Sequence, residues 1–431
     1  MNFHAGATHQ PKPSLGGSRP WRLAWALGVA ISLHAAAEPR IEGNPPAWEL
    51  KAETRFRYEV RDQAGNGEKI GRLLAREVLG ARVGTPAGWR AYAELASGQV
   101  SNDRLPASAS IQNDLSLQQL WLEGPILAES LRLSARVGRQ EFDDGPRQLV
   151  SVGDGPNLHR TWNGVKVCAN VVGADLSAFA FRATRLGRDG LDERISRTER
   201  LGGLTGSVAV PGAGGSLRLD PFWLRSETPG IVRNTFGAAA RGERGRVSID
   251  WVAAVQSSHV DERDRAAWAV FATQSLELTG RGWRPRLSLR IDAASAGRSG
   301  RERTTGGFDQ LYASSSYLGE GLFLSASNLL LISPGLSFTP ATRTKLAVDY
   351  GFARRLDERD AAYAGQMRAY PGTAAVPGRE IGGLLRVQAG WTPSRLVLVG
   401  VAYEHLARGD VLARAGLPSR SYVHASVTFR H

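Results

Sequence analysis

The chain has 431 residues with 54 Lys+Arg against 41 Asp+Glu, a formal charge of +13, and it carries 50 glycines and 11 tryptophans. A hydrophobic content of 42% is too high for a disordered polymer, and the single cysteine, Cys168, excludes an intramolecular disulfide framework and any multi-cysteine metal site. The basic excess points to anionic partners, with nucleic acid, anionic lipid and acidic polysaccharide all open, and the length admits several ordinary domains or one large all-β domain.

At the N-terminus, Arg19 and Arg22 precede the uncharged run Leu23–Leu33, and Ala35-Ala36-Ala37 follows it. The run is shorter than the about 20 residues a spanning helix needs, and the small residues suit cleavage after Ala37. The pattern predicts a cleaved export signal over 1–37 and a single mature domain over 38–431. No later stretch approaches the length of a transmembrane helix, which excludes a helical membrane protein.

The mature chain alternates with period two. In Lys51–Arg61 the charged residues Lys51, Glu53, Arg55, Arg57, Glu59 and Arg61 take one face, and Ala52, Thr54, Phe56, Tyr58 and Val60 take the other. A helix would spread these charges around its circumference. Leu131, Leu133, Ala135 and Val137 likewise oppose Arg132, Ser134 and Arg136, and Val247, Ile249, Trp251, Ala253 and Val255 oppose Ser248, Asp250 and Gln256. Trp283, Pro285, Leu287, Leu289 and Ile291 oppose Arg284, Arg286, Ser288, Arg290 and Asp292. Leu385, Val387, Ala389 and Trp391 oppose Arg386 and Gln388, and Val423, Ala425, Val427 and Phe429 oppose His424, Ser426, Thr428 and Arg430.

The expected strands are 49–61, 72–84, 88–97, 114–124, 130–139, 161–171, 174–185, 199–210, 215–225, 230–241, 245–257, 266–279, 282–293, 320–332, 340–354, 380–392, 395–406 and 421–430, about 18 in all. Tight connections such as Thr85-Pro86-Ala87, Val172-Gly173, Pro211–Gly214, Gly280-Arg281 and Pro393-Ser394 alternate with long ones around 98–113, 140–160, 294–319, 355–379 and 407–420. A soluble β-sandwich also alternates, with its apolar face inward. Alternating loop lengths, and aromatics capping the apolar files (Trp89, Trp121, Trp251, Trp283, Trp391), favour the inverted case. The fold class is therefore all-β: a single antiparallel transmembrane barrel, with short periplasmic turns and long extracellular loops.

In such a barrel Arg55, Arg57, Arg132, Arg136, Arg284, Arg286, Arg290 and Arg386 look into the lumen, with Glu53, Glu59, Asp220 and Asp292 as partners for some of them. A low-dielectric wall focuses their field on anions, and the guanidinium fork matches a carboxylate. The bland reading is a solvated face without selectivity.

Other chemistries find little support. A hydrolase would need a nucleophile, base and acid; His159, His259, His405 and His424 are present, but no Gly-x-Ser-x-Gly elbow and no His-Glu-x-x-His pair occurs. Asp143-Asp144 and Asp261-Glu262-Arg263-Asp264 offer surface calcium ligands, although their setting suits solvated loops. Basic residues are spread at period two rather than clustered, which speaks against nucleic acid. Cys168 reads as a free, inert thiol.

Several blocks carry a likeness to a known family. They are Arg136–Phe142, Leu149–Val152 and Gly155–Val165, then Gly307–Tyr312, Ser327–Leu329 and Ser333–Ser337. The stretch Leu346–Tyr350, punctuated by Lys345 and Asp349, follows, then Gly390–Pro393, Tyr403–His405, Gly409-Asp410 and Tyr422–Phe429. In this order the sequence resembles the alginate export family of outer-membrane β-barrel channels. The resemblance implies an 18-stranded barrel with an arginine-lined lumen for anionic solutes; the best-known members export a uronate polysaccharide. It carries Arg139 of the Gly-Arg-Gln segment, and Arg147 and Arg160 of the following loop, over as channel or constriction residues, with that loop folding inward. Relatives commonly end on an aromatic residue, whereas here Arg430-His431 follow Phe429.

The function expected is passive diffusion of acidic saccharide or polysaccharide without a cofactor, the alternative being a general or small-organic-acid uptake porin, ahead of an outer-membrane hydrolase. The surroundings expected are outer-membrane lipid and lipopolysaccharide, and a polymer exporter would also need periplasmic partners.

Overall fold

A computed structural model of the chain describes residues 47–431 except 63–67, 102–106, 127–131, 172, 211–215, 261–262 and 298–306. The expected signal, the turn Pro211–Gly214 and the acidic pair Asp261-Glu262 lie outside the described residues.

Strands β1 (Trp48–Asp62), β2 (Lys69–Gly84), β3 (Arg90–Val100), β4 (Asn113–Ile126), β5 (Arg132–Gln140) and β6 (Trp162–Val171) come first. There follow β7 (Ala174–Arg185), β8 (Arg194–Ala209), β9 (Arg218–Thr228), β10 (Ile231–Arg244), β11 (Val247–Val260), β12 (Arg263–Glu277) and β13 (Arg286–Ala294). After the single-turn helix α1 (Ser315–Leu318) come β14 (Leu329–Phe338), β15 (Thr344–Arg354) and a small loop hairpin, β16 (Tyr363–Ala364) with β17 (Arg368–Ala369). The chain ends with β18 (Glu380–Ser394), β19 (Val397–Arg408), the short helix α2 (Asp410–Arg414) and β20 (Arg420–Arg430).

All of these strands but the loop hairpin form one 18-stranded antiparallel sheet. β20 returns to β1, with Val427 opposite Phe56, so the sheet closes and no edge remains. Closure satisfies the backbone hydrogen bonds of the wall internally, the condition for β-structure in hydrocarbon.

Alternation sets the two faces. Phe56, Tyr58, Val137, Val255 and Phe352 stand outward and exposed, while Arg55, Arg57 and Glu59 on the opposite parity are buried inside. Such a continuous exposed apolar surface is untenable in water and natural against acyl chains. Trp48, Trp89, Trp251, Trp283 and Trp391 are outward towards the short-turn end, where the described chain ends also lie. Trp121 departs from the expected girdle. A register irregularity in β4, near the pairing of Glu94 and Leu95 with Gln119 and Leu117, turns Trp121 into the lumen, where the Arg136 guanidinium lies 4.0 Å over its ring.

Two expected strand starts are also corrected. The strand expected at 320–332 begins at Leu329, because Asn328 adopts a left-handed φ of 48° and its side-chain amide donates to Asp357 O and Ala361 O. The strand expected at 282–293 begins at Arg286, because Arg284, with φ 46°, belongs to the turn.

The interior is less uniformly polar than alternation suggests. Phe179 and Phe181 on β7, Leu201 on β8, Leu224 on β9 and Phe271 on β12 point inward and are buried. They pack with Trp162 at the start of β6 and with Phe142, Leu149, Phe308 and Tyr312 from inward-folded loops. This apolar core lies inside the barrel, and its purpose is to seat loops against the wall.

Candidate pore constriction

Two loops leave the long-loop end and enter the lumen. The first, 141–161, begins where β5 gives way to Phe142, whose ring meets that of Phe179 at 4.2 Å. The second, described over 307–328, is seated by Phe308 against Phe271. They zip together in parallel: Tyr312 N donates to Leu149 O at 2.8 Å and Ser314 N to Arg147 O at 2.9 Å, about the bridge between Val150 and Tyr312. The Trp162 and Tyr312 rings meet edge to face at 4.7 Å.

Each strap is tied to nearly opposite walls. On the first, Asp154 takes Arg55 Nη1 at 3.3 Å and Arg76 Nη1 at 2.8 Å, anchoring it to β1 and β2. Its other side offers Arg147, whose guanidinium lies 3.7 Å from Asp250 of β11. Asn157 donates to Gln99 O at 3.0 Å and Ile111 O at 2.7 Å, and Asp144 pairs with Lys166 of β6 at 2.6 Å. On the second strap, Asp309 pairs with Arg233 of β10 at 3.0 Å, and Glu320 pairs with Arg57 of β1. Glu404 of β19 accepts the Glu320 and Gly321 amides, both at 2.8 Å. The Tyr317 carbonyl of α1 receives Arg290 Nη1 at 2.8 Å and Arg386 Nη1 at 3.1 Å.

His159 lies within the first strap. Nδ1 is 2.5 Å from Glu141 Oε1 and Nε2 is 2.9 Å from Asp154 Oδ1. Burial alone would lower its pKa, but the bonds to Asp154 and Glu141 outweigh burial and raise it from 6.5 to about 9. With both ring nitrogens on carboxylates, no acceptor is left for a nucleophile's proton. His405 Nδ1 meets Ser421 Oγ at 2.9 Å on the outward wall, with no carboxylate bound to that ring among the described residues.

The arginines read from sequence divide into groups. Arg55 holds the first strap by Asp154 and by the Pro156 carbonyl at 2.7 Å, and Arg57 holds the second by Glu320 and also meets the Tyr422 hydroxyl. Arg290 pairs with Asp292 at 2.8 Å and Arg386 with Asp349 at 2.8 Å. Arg136 bonds Glu123 at 2.6 Å, and Arg286 bonds Glu277 at 3.1 Å nearer the short-turn mouth; both remain partly exposed to the lumen. Arg132 pairs through its backbone with Asn170, and its side chain lies outside the described residues.

Three expectations need correction. Arg284 is a turn residue bonded to Glu277 at 3.3 Å rather than part of a lumenal file. Arg139 stands on the outward face, opposite the exposed Leu120 and beside Asn163, because it shares the parity of Val137. Arg160 donates to Ser151 O and Tyr312 O, both at 3.0 Å, which makes it a clamp between the straps rather than a side chain presented to the passage. Arg147, by contrast, keeps 62% of its side chain exposed over the lumen.

Arg72, Arg76 and Arg233 escaped sequence reading. Their inward parity was available, but Leu74 interrupts the charged file of β2, and the partners Asp154 and Asp309 are distant in sequence. Among the described residues no group of three His, Cys, Asp or Glu could hold a metal ion. Cys168 faces the lumen beside Ser177 Oγ at 3.5 Å.

A closed barrel of 18 strands, oily outside, charged inside and strapped by inward loops, is an outer-membrane channel. Its short turns are then periplasmic and its long loops extracellular. The chain belongs to the alginate export family, whose profile matches residues 48–426. No curated protein matches the chain. In fold it is similar to Pseudomonas aeruginosa OccK2 (OpdF) in complex with glucuronate, at 14% identity and TM-score 0.58 over 90% of this chain and 99% of that one. It is also similar to Pseudomonas aeruginosa OpdK with vanillate, at 12% identity and TM-score 0.62 over 90% and 100%. A BenF-like porin from Pseudomonas fluorescens Pf-5 matches at 11% identity and TM-score 0.62, over 90% and 100%.

Proposed function

We propose that this protein is a passive, anion-preferring channel for carboxylate-bearing solutes of the uronate type, exported with a cleaved signal over residues 1–37. The carrying observation is the charge on the inward face. On β1 and β2, Lys51, Arg55, Arg57, Arg61, Arg72, Arg76 and Arg82 share the lumenal parity with only Glu49, Glu53 and Glu59. The exposed Arg147 adds to this excess at the straps. Within a low-dielectric wall the excess concentrates anions, and arginine forks can replace water around a carboxylate. The glucuronate and vanillate of the OccK2 and OpdK structures are both carboxylates, which supports the reading.

The straps bear on solute size. They are tied to β1 and β2 on one side and to β10 and β11 on the other, so they divide the lumen. That arrangement favours short uronate saccharides and small organic acids over an uninterrupted polymer. No chemical step is part of this reading.

The test is single-channel recording in planar bilayers under a salt gradient, with and without glucuronate and its oligomers. Expected are a reversal potential on the anion side and concentration-dependent blockade by glucuronate. A cation-side potential refutes the charge argument, and unimpeded current in millimolar uronate refutes the solute class.

A further inference from the structure

The outward wall carries a basic row that the channel does not use. Across successive strand pairs, Leu120 stands opposite Arg139, Arg139 opposite Asn163, Asn163 opposite Arg182, and Arg182 opposite Arg200. With strands about 4.8 Å apart, the three arginine positions fall within about 15 Å of wall. Arg139 is the penultimate residue of β5 and Asn163 the second of β6, so the row lies at the extracellular end.

Neighbouring carboxylates balance the row only in part. Arg139 reaches Glu193 at 3.4 Å and Arg200 reaches Glu227 at 3.7 Å. Arg182 has no ion-pair partner among the described residues. Immediately towards the membrane centre the wall is apolar, with Leu122, Val137, Val165 and Ala180 opposed in sequence. A groove open to the outside joins the two zones, lined by Leu117, Leu120, Val165 and Ile195 as well as by all three arginines.

An arginine on the lipid face is costly at the bilayer midplane but costs only about 0–1 kcal/mol near the interface. There, a row of guanidinium forks over an apolar groove fits a ligand with phosphate above and acyl chain below. In the outer leaflet that chemistry belongs to a phosphorylated glycolipid. We propose that Arg139, Arg182 and Arg200 form a binding site for the phosphate groups of lipopolysaccharide, with the groove taking the first carbons of an acyl chain. The site is on the far side of the wall from the lumen, so it stands or falls separately from the channel reading.

The folded protein in detergent, titrated with rough lipopolysaccharide and read by native mass spectrometry, tests this. Binding is expected, weakened at least tenfold by Arg182→Gln with Arg200→Gln and by removal of the lipid phosphates, while channel conductance stays that of the parent. Should the double variant fold poorly, Arg182→Gln alone, which breaks no ion pair, is expected to weaken binding about threefold. Affinity unchanged in these variants, or equal affinity for the dephosphorylated lipid, overturns the site. Phosphatidylglycerol bound as tightly as lipopolysaccharide overturns the assignment to the glycolipid.

Discussion

Alkaline pH is expected to loosen the first strap. His159 is held between Asp154 and Glu141, and its pKa is raised from 6.5 to about 9, against the opposing effects of burial and of Arg76. Because the folded value lies above the free value, the imidazolium stabilises the docked strap fully below pH 6.5. That contribution is lost as pH rises through about 9. At about 1.4 kcal/mol per pH unit, the ceiling is about 3 kcal/mol. Two features reduce it. Arg76 Nη1 lies 2.8 Å from His159 Nε2, and the His159 side chain remains 21% exposed, so a net effect of about 1–2 kcal/mol is reasonable. Arg55 and Arg76 still hold Asp154 in either state, so the strap should open more often rather than leave the lumen. Hydrogen exchange of the amides at 151–160, corrected for intrinsic rates, should show roughly tenfold loss of protection between pH 6.5 and 9.5. Single-channel current should become noisier over the same range. His159→Gln should be loose and nearly pH-insensitive. Unchanged protection in the parent across that range, or an undiminished pH response in the variant, would refute the argument.

Further outcomes follow from the same contacts. Arg147→Glu should move the reversal potential towards cations: the change is two unit charges, each worth about 1 kcal/mol at about 4 Å in a water-like dielectric, so reversal changes anion preference by about tenfold or more at low salt and less at high salt. Trp121→Ala, which removes an inward ring beneath Arg136, should lower barrel stability in urea by about 3 kcal/mol. Trp283→Ala, on the lipid-facing rim, should instead slow insertion into vesicles with little change in channel selectivity. Arg355→Met should disorder the 355–379 loop, because the buried guanidinium donates to the carbonyls of Asp360, Thr373, Val376 and Gly378. Increased protease cleavage there, with the barrel intact, is the expected readout.

The barrel was legible because its wall obeys one rule. Period-two alternation with an oily and a charged file identifies which face meets lipid, and it did so correctly for Val247–Val255, Leu385–Trp391 and Val423–Phe429. It failed where the rule is broken locally. The irregularity in β4 inverts Trp121, and left-handed residues at Arg284 and Asn328 hold off β13 and β14 beyond the points where the sequence suggests they start. One partnership between neighbours on the same strand was legible too, Asp292 with Arg290, whereas Asp220 pairs at 3.1 Å with Arg241, which lies outside the arginines singled out from the sequence. Strap contacts were not, since Arg55 and Asp154 or Arg57 and Glu320 meet only after the barrel has closed.

That difference changes what an arginine-rich lumen means. Parity tells which side of the wall a guanidinium occupies, whereas its availability to a solute depends on loops that parity does not describe. Arg55, Arg57, Arg290 and Arg386 are all inward, yet each is 8% exposed or less and bonded to a strap. Their desolvation is compensated by carboxylates and carbonyls, so they shape the passage and act on anions only through the field they share in, whereas direct contact with a solute falls to exposed guanidinium groups such as Arg147. The motif blocks that carry the family likeness belong to the same scaffold: Asn157 and Asn328 bond loop carbonyls, and Phe142 and Phe308 are buried. Charge reversal at Arg290 should therefore damage the second strap before it alters ion preference. Reversal at the exposed Arg147 should alter preference while the straps stay docked. Finding the opposite order would mean that the straps do not occupy the lumen as described.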